Sequence, residues 1–210
     1  MVYSIGVRYP YPINIGTSFP DANEDADRDV AFLNPEEIDT VSLNRKRALT
    51  SGYPVDPATV PTKLCWESKR YDPTDFIVSR GTLVVSERVR EIIERFEPGV
   101  HQLLPVDVYR PKADAPIARY YWLVVCNRID SVDEKKTTFV WTGDKSNERG
   151  LWLSEGDESR QLVFNKAQID ARHIWRDKFL AAGVLVSEEL MMAFSEAGIS
   201  GLESMKYASV

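Results

Sequence analysis

Cysteine and histidine are scarce in this chain of 210 residues, with two of each. Cys65 and Cys126 lie far apart, without CxxC spacing and without a histidine close by in sequence. That leaves neither a zinc-finger pattern nor a disulfide framework, and two reduced, buried thiols are expected. His101 and His173 belong to no HxxxH or HExxH pattern. No metal and no cofactor are therefore expected. No apolar run approaches the roughly 18 residues that span a bilayer. The opening MVYSIGVRYPYPINIG lacks the basic and continuous apolar regions of a cleaved export signal. A cytoplasmic location without a membrane partner is the expectation. Basic residues are outnumbered, 26 against 32 acidic, for a net charge of −6 and a pI near 5.1. Nucleic acid, which is gripped through clustered Lys and Arg, is not an expected partner. A protein with a basic surface remains well matched to this balance.

What is present looks globular, with 43% hydrophobic and 28% charged residues. One phrase is written twice: LVVSERVREIIERF from Leu83 and VLVSEELMMAFSEA from Val184. With Ser86 set on Ser187, Val89, Ile92, Ile93 and Phe96 fall on Leu190, Ala193, Phe194 and Ala197. That spacing of i, i+3, i+4 and i+7 marks one face of a helix. Each serine is placed as an N-cap whose hydroxyl accepts from a first-turn amide, and each following glutamate suits the positive end of the helix dipole. Pro98-Gly99 and Gly198 supply the stops. The apolar runs before each cap, TLVVS and GVLVS, predict short strands. The bland alternative is coincidence, because cap, helix and glycine form common grammar.

Between the copies lie strand-like segments: LLPVDVY, RYYWLVVCNRI, TTFVWTG, GLWLSE, RQLVFN and RHIWRD. Connections this short suit antiparallel pairing, since parallel strands need long crossovers. The expected fold is α+β, an antiparallel meander packed by two strand–helix units. Residues 1–70 differ, holding seven of the 12 prolines, with Pro73 at the border. A Pro-rich, largely irregular region 1–70 is expected to pack on a core of 71–210 as one compact domain. Within it, MVYSIGVRY predicts an edge strand. LNPEEI predicts a helix start capped by Asn34, with Leu33 stapled to Ile38.

Motifs that invite chemistry mostly fail on spacing. DANEDADRD alternates acids as a calcium loop does, but its sixth and twelfth positions are Ala26 and Phe32 rather than Gly and Glu. GDKS interposes Asp144 between Gly143 and Lys145, which reads better as a hairpin turn than as a phosphate loop. His173 has Asp170 and Asp177 nearby, a base–orienter pairing on paper, but no GxSxG turn supplies a nucleophile. Asp130, Asp133 and Glu134 follow an apolar strand and read first as a charged turn. Five tryptophans are more often core than interface anchors.

PTDFIVSRGTLVVSERVREIIERFEPGVHQLLPVDVY, the YYWLVV strand with IDSVD after it, and GVLVSEELMMAFSEAGISGLE resemble one bacterial family over roughly residues 71–207. This is immunity family eleven of the polymorphic-toxin immunity proteins, formerly a domain of unknown function. The resemblance implies noncovalent binding and neutralisation of a cognate toxin, and it brings no catalytic residues.

The leading expectation is thus a non-enzymatic, cytoplasmic toxin inhibitor. Its candidate partner-binding residues are Glu24, Asp25, Asp27 and Asp29 in the acidic loop, with Asp130, Asp133 and Glu134 in the later turn. The alternative is an enzyme of unrecognised type using His101 or His173 with nearby carboxylates. Pairing with a second copy as a homo-oligomer is left open.

Overall fold

The apolar runs form strands whose successive side chains enter different cores. The computed structural model describes residues 1–10, 16–19, 29–38, 48–144, 149–180 and 183–210. Sheet I contains β2 (Thr17–Ser18), β3 (Lys63–Trp66), β4 (Phe76–Ser79), β5 (Thr82–Ser86), β6 (Gln102–Tyr109) and β7 (Ala118–Val124), in the order β2-β3-β6-β7-β5-β4. Sheet II contains β1 (Val2–Val7), β8 (Arg128–Ile129), β11 (Val163–Phe164), β12 (Ile174–Asp177), β13 (Val184–Ser187) and β14 (Leu202–Ser209), in the order β11-β14-β1-β13-β12-β8. A separate hairpin pairs β9 (Val140–Asp144) with β10 (Arg149–Leu153). The helices are α1 (Glu87–Phe96), the single turn α2 (Lys166–Ile169) and α3 (Glu188–Glu196). Among the described residues no helix is long and apolar enough to cross a membrane.

The α+β class expected from the sequence holds, but the strands divide between two sheets instead of following one meander. Most pairings are antiparallel; β3–β6, β8–β12 and β11–β14 run parallel. These join strands far apart in the chain, so they lie beyond any argument from short connections. Strand β1 is likewise an interior strand, flanked by β13 and β14, where its pattern had suggested an edge. Its neighbour β14 comes from the opposite end of the chain and carries mostly polar, exposed side chains, which hid it from hydrophobic patterning.

Alternation assigns the cores. Leu83 and Val85 of β5, Leu123 of β7, and Val184 and Val186 of β13 enter a central cluster with Val89, Ile92, Ile93, Leu190 and Phe194 of the two helices. Their neighbours on the same strands turn the other way. Val84, Trp122 and Val124 join the outer core of sheet I with Val30, Leu49 and Val55 from the N-terminal region. Leu185 and Trp175 join the outer core of sheet II with Phe164, Trp152 and Phe179. Both faces of these central strands are therefore buried, and the runs LVV, WLVV and VLV must be apolar throughout. Each large side chain removed from water contributes about 1.5–3 kcal/mol. Trp66, Trp122 and Trp175 are fully buried, Trp152 nearly so, and half-buried Trp141 packs edge-on against Trp152 and Phe179. The tryptophans are packing residues.

Helices start where the cap serines place them, and Ser86 and Ser187 have closely matched backbone angles, φ −70° in both with ψ 167° and 162°. Their hydroxyls differ. Ser187 Oγ accepts from Leu190 N at 3.2 Å, as an N-cap should. Ser86 Oγ makes no cap bond; it donates to Asp75 Oδ1 at 2.7 Å. Asp75 also accepts from the Ser200 amide and hydroxyl, and Arg88 joins Asp75 and the Ala197 carbonyl. The start of α1 is thereby tied to the end of α3. Gly198, at φ +62°, closes α3, while Gly201, at φ +78°, passes so close to β4 that a Cβ would lie 2.3 Å from Thr74 Oγ1. In the N-terminal region, Asn34 and Pro35 begin only a single 3₁₀ turn, Pro35–Glu37. Leu33 is half exposed and Ile38 is buried.

Because only one of the two serines caps its helix directly, the paired substitutions should separate. Ser187→Ala is expected to cost about 1 kcal/mol from the lost cap. Ser86→Ala should leave the α1 cap unchanged and instead loosen the Asp75 junction. Urea unfolding of both variants, with helix content followed by circular dichroism, checks this.

Candidate functional site

Both histidines and one glutamate meet where α1 ends. Glu97 is the C-cap of α1, where the negative end of the helix dipole opposes a carboxylate. It is also almost fully buried, at 7% exposure, and His101 beside it is at 6%. The cost is offset by donors. His101 Nε2 lies 2.5 Å from Glu97 Oε2, Asn127 Nδ2 lies 3.2 Å from Oε1, and the His173 amide donates to Oε1 at 2.9 Å. The Cys126 amide donates to His101 Nδ1 at 3.1 Å, which makes Nδ1 an acceptor. Nε2 therefore carries the proton and gives it to the carboxylate as a hydrogen bond. Burial pushes the Glu97 carboxyl upward, yet the bonds from His101 and the backbone outweigh it and hold the group below the usual carboxylate range.

The cluster extends across the fold. Asn127 Nδ2 also donates to the Ile174 carbonyl at 3.0 Å. His173 Nδ1 lies 2.9 Å from Ser187 Oγ, and the same oxygen caps α3. The Phe96 ring stands edge-on to His173 at 4.9 Å. One buried carboxylate thus joins the end of α1 to β12 and, through His173, to the start of α3. Glu97 was hidden in the phrase FEPG; its one local signal is an acid at the wrong end of a helix.

The enzyme alternative asked for a histidine and an acid in contact within a hollow. Contact exists at His101 and Glu97, but both are enclosed, and their bonding groups are spent on each other, on the Asn127 side chain and on backbone. His173 borders a cavity of about 230 Å³ shared with Lys166, Asp170, Arg172 and Glu189. There its Nδ1 is engaged by Ser187, whose hydroxyl is itself buried. Asp177 is taken up elsewhere, accepting from the Ser131 amide and hydroxyl and from the Phe179 amide. Its burial raises its pKa. The thiols are poor nucleophiles at neutral pH: burial pushes Cys126 up to about 11 and also raises Cys65, which Glu67 raises further. Among the described residues no three His, Cys, Asp or Glu side chains are grouped to hold a metal ion.

Of the acidic residues expected to meet a partner, Glu24, Asp25 and Asp27 lie outside the described residues. Asp29 is exposed beside Val30, at the outer core of sheet I. Glu134 is exposed, and Asp130 and Asp133 are half buried around Val132, at the outer core of sheet II. Asp133 Oδ1 accepts from the Lys135 and Lys136 amides, so this carboxylate shapes its own charged turn. The strands flanking GDKS pair antiparallel, as a hairpin requires, with residues 145–148 outside the described set.

The sequence matches the family described as "Immunity protein family (Imm11)" over residues 19–209. No curated protein matches it.

Glu97 generates a pH-dependent expectation. Its folded pKa is below the unfolded value, so its stabilisation is complete above the ordinary carboxylate range and is lost as pH falls through the folded value. Glu97→Gln should cost about 2 kcal/mol near neutral pH. The gap from wild type should narrow on acidification, while Asp177, present in both proteins, cancels in the difference. Urea unfolding from neutral pH down through the carboxylate range measures it.

Proposed function

The chain belongs to the Imm11 immunity protein family, and from that premise we propose that it is a cytoplasmic inhibitor that binds a cognate toxin domain noncovalently and neutralises it. The observation that carries this reading is the extent of the match, residues 19–209, which takes in all three helices and ten of the twelve strands of the two sheets, leaving out β1 and β2. The polar cluster at Glu97 supports it from another direction, because its hydrogen bonds close on themselves and serve the fold. A binding protein needs a stable surface, and this cluster fixes the helices that shape one.

Charge supplies the rest of the argument. With a net charge of −6, the protein suits a toxin with a basic cleft, since complementary fields speed encounter and reject wrong partners. Asp29, Asp130, Asp133 and Glu134 are proposed contacts, together with Glu24, Asp25 and Asp27. An inhibitor complex of ordinary size buries on the order of 1,600 Å² in total, with affinity set by a few anchors.

Expressing the toxin encoded beside this reading frame, with and without this protein, tests the proposal. Restored growth and a stable complex on gel filtration are expected; undiminished killing with no complex would remove the reading. Within a complex, Glu134→Lys should slow association several-fold at low ionic strength, and high salt should abolish the difference, as stopped-flow kinetics would report.

A further inference from the structure

Strand β14 leaves most of one edge of sheet II without a described neighbour. The Arg8 amide donates to the Gly201 carbonyl at 3.1 Å, and the register then runs from Val7 opposite Leu202 to Val2 opposite Tyr207. In an antiparallel pair, residues alternate between exchanging backbone bonds with the partner and turning N–H and C=O away from it. Counting from the Arg8–Gly201 bond, Glu203, Met205 and Tyr207 bond toward β1. Leu202, Ser204 and Lys206 turn their backbone groups outward. The same parity holds at the strand's end, where the Val210 amide donates to the Phe164 carbonyl on the far side from β1. Strand β11 covers only Ala208 and Ser209. Among the described residues no strand meets the three donors and three acceptors of Leu202, Ser204 and Lys206, a row about 14 Å long.

Beside this row lies a groove of about 750 Å³ that includes Phe139, Leu162, Met205 and Tyr207, with Asp157 and Glu158 on its rim. Met205 is 61% exposed. An edge of this kind is commonly shielded by an outstretched lysine. Here Lys206 folds back, its Nζ 3.8 Å from Glu188 Oε1 and 5.6 Å from the centre of the Tyr3 ring. Arg160, the other cation of the groove, is held by Glu155 and Asp157. Glu158 and Glu203 are exposed and make no ion pair among the described residues. The charge left unneutralised is negative.

We propose that the open edge of β14 is the docking site for an extended, basic segment of the toxin, which adds to sheet II as a further strand. Backbone bonds to Leu202, Ser204 and Lys206 fix its register. Alternate apolar side chains rest on Met205 and Tyr207, and its Lys or Arg residues meet Glu158 and Glu203. A second copy of this chain fits less well, because it would set the same acidic rim against itself. The proposal rests on the toxin-binding reading above and names the surface used.

Amide hydrogen exchange followed by NMR, on the full chain alone and with the toxin encoded beside this reading frame, tests it without mutation. The Leu202, Ser204 and Lys206 amides should exchange freely in the unbound protein and slow at least tenfold in the complex. Those of Glu203, Met205 and Tyr207 should be protected in both. Ser204→Pro deletes one outward donor and spares the bonds to β1, so a folded variant should bind the toxin at least tenfold more weakly, whereas Ser204→Ala should bind like wild type. A complex that leaves the three outward amides unprotected, their protection by self-association in the unbound protein, or unimpaired binding by folded Ser204→Pro would overturn the proposal. Absence of any complex would instead defeat the toxin-binding reading beneath it. Should Ser204→Pro fail to fold, the exchange comparison decides by itself.

Discussion

Burial on both faces of the central strands of two six-stranded sheets governs the rest of this molecule. A strand with one wet face can alternate polar and apolar residues, but the stretches Leu83–Val85, Trp122–Val124 and Val184–Val186 have no wet face, so they are apolar throughout. Odd and even residues of one strand then belong to different cores: Val85 to the centre and Val84 to the outside of sheet I. Helices α1 and α3 fill the shared centre, where Phe194 of α3 stands edge-on to Phe76 of β4 at 5.5 Å. The proline-rich beginning of the chain finds its place by covering the outer face of sheet I with Val30, Leu49 and Val55.

Apolar packing is weakly directional, so orientation falls to polar junctions. Two carboxylates do this at opposite ends of the helix pair. Asp75 gathers Ser86, Arg88 and Ser200 and thereby joins the start of α1 to the turn after α3. Glu97 gathers His101, Asn127 and the His173 amide and joins the end of α1 to β12. Both are held below the usual carboxylate range by the donors around them, despite the opposing effect of burial. A buried acid supplied with three donors is a directional clamp, and removing any donor would leave charge without compensation. The histidines that suggested catalysis are used in this way. Their environment serves geometry.

On the exterior the cores constrain little. Val30 with Phe32 and Val132 with Ile129 anchor two surface segments to the outer cores, beside the exposed carboxylates of Asp29 and Glu134. Strand β14 goes further: half of its paired backbone points away from the sheet, and its side chains are mostly exposed.

Helix starts at Glu87 and Glu188, the strands between them and the α+β class were readable in the chain, because caps, stops and alternation are short-range signals imposed by backbone geometry. The packing role of the tryptophans was readable for the same reason: large apolar groups in strands must leave water. Which strands pair was another matter. Strand β1 between β13 and β14, and the parallel pairing of β3 with β6, depend on contacts between distant segments, and local periodicity carries no record of them. Nor did any spacing announce Glu97, because a carboxylate becomes a junction only when donors from β12, Asn127 and His101 are brought around it. Short-range stereochemistry wrote the elements, and long-range burial, acting between segments that are strangers in sequence, chose their neighbours.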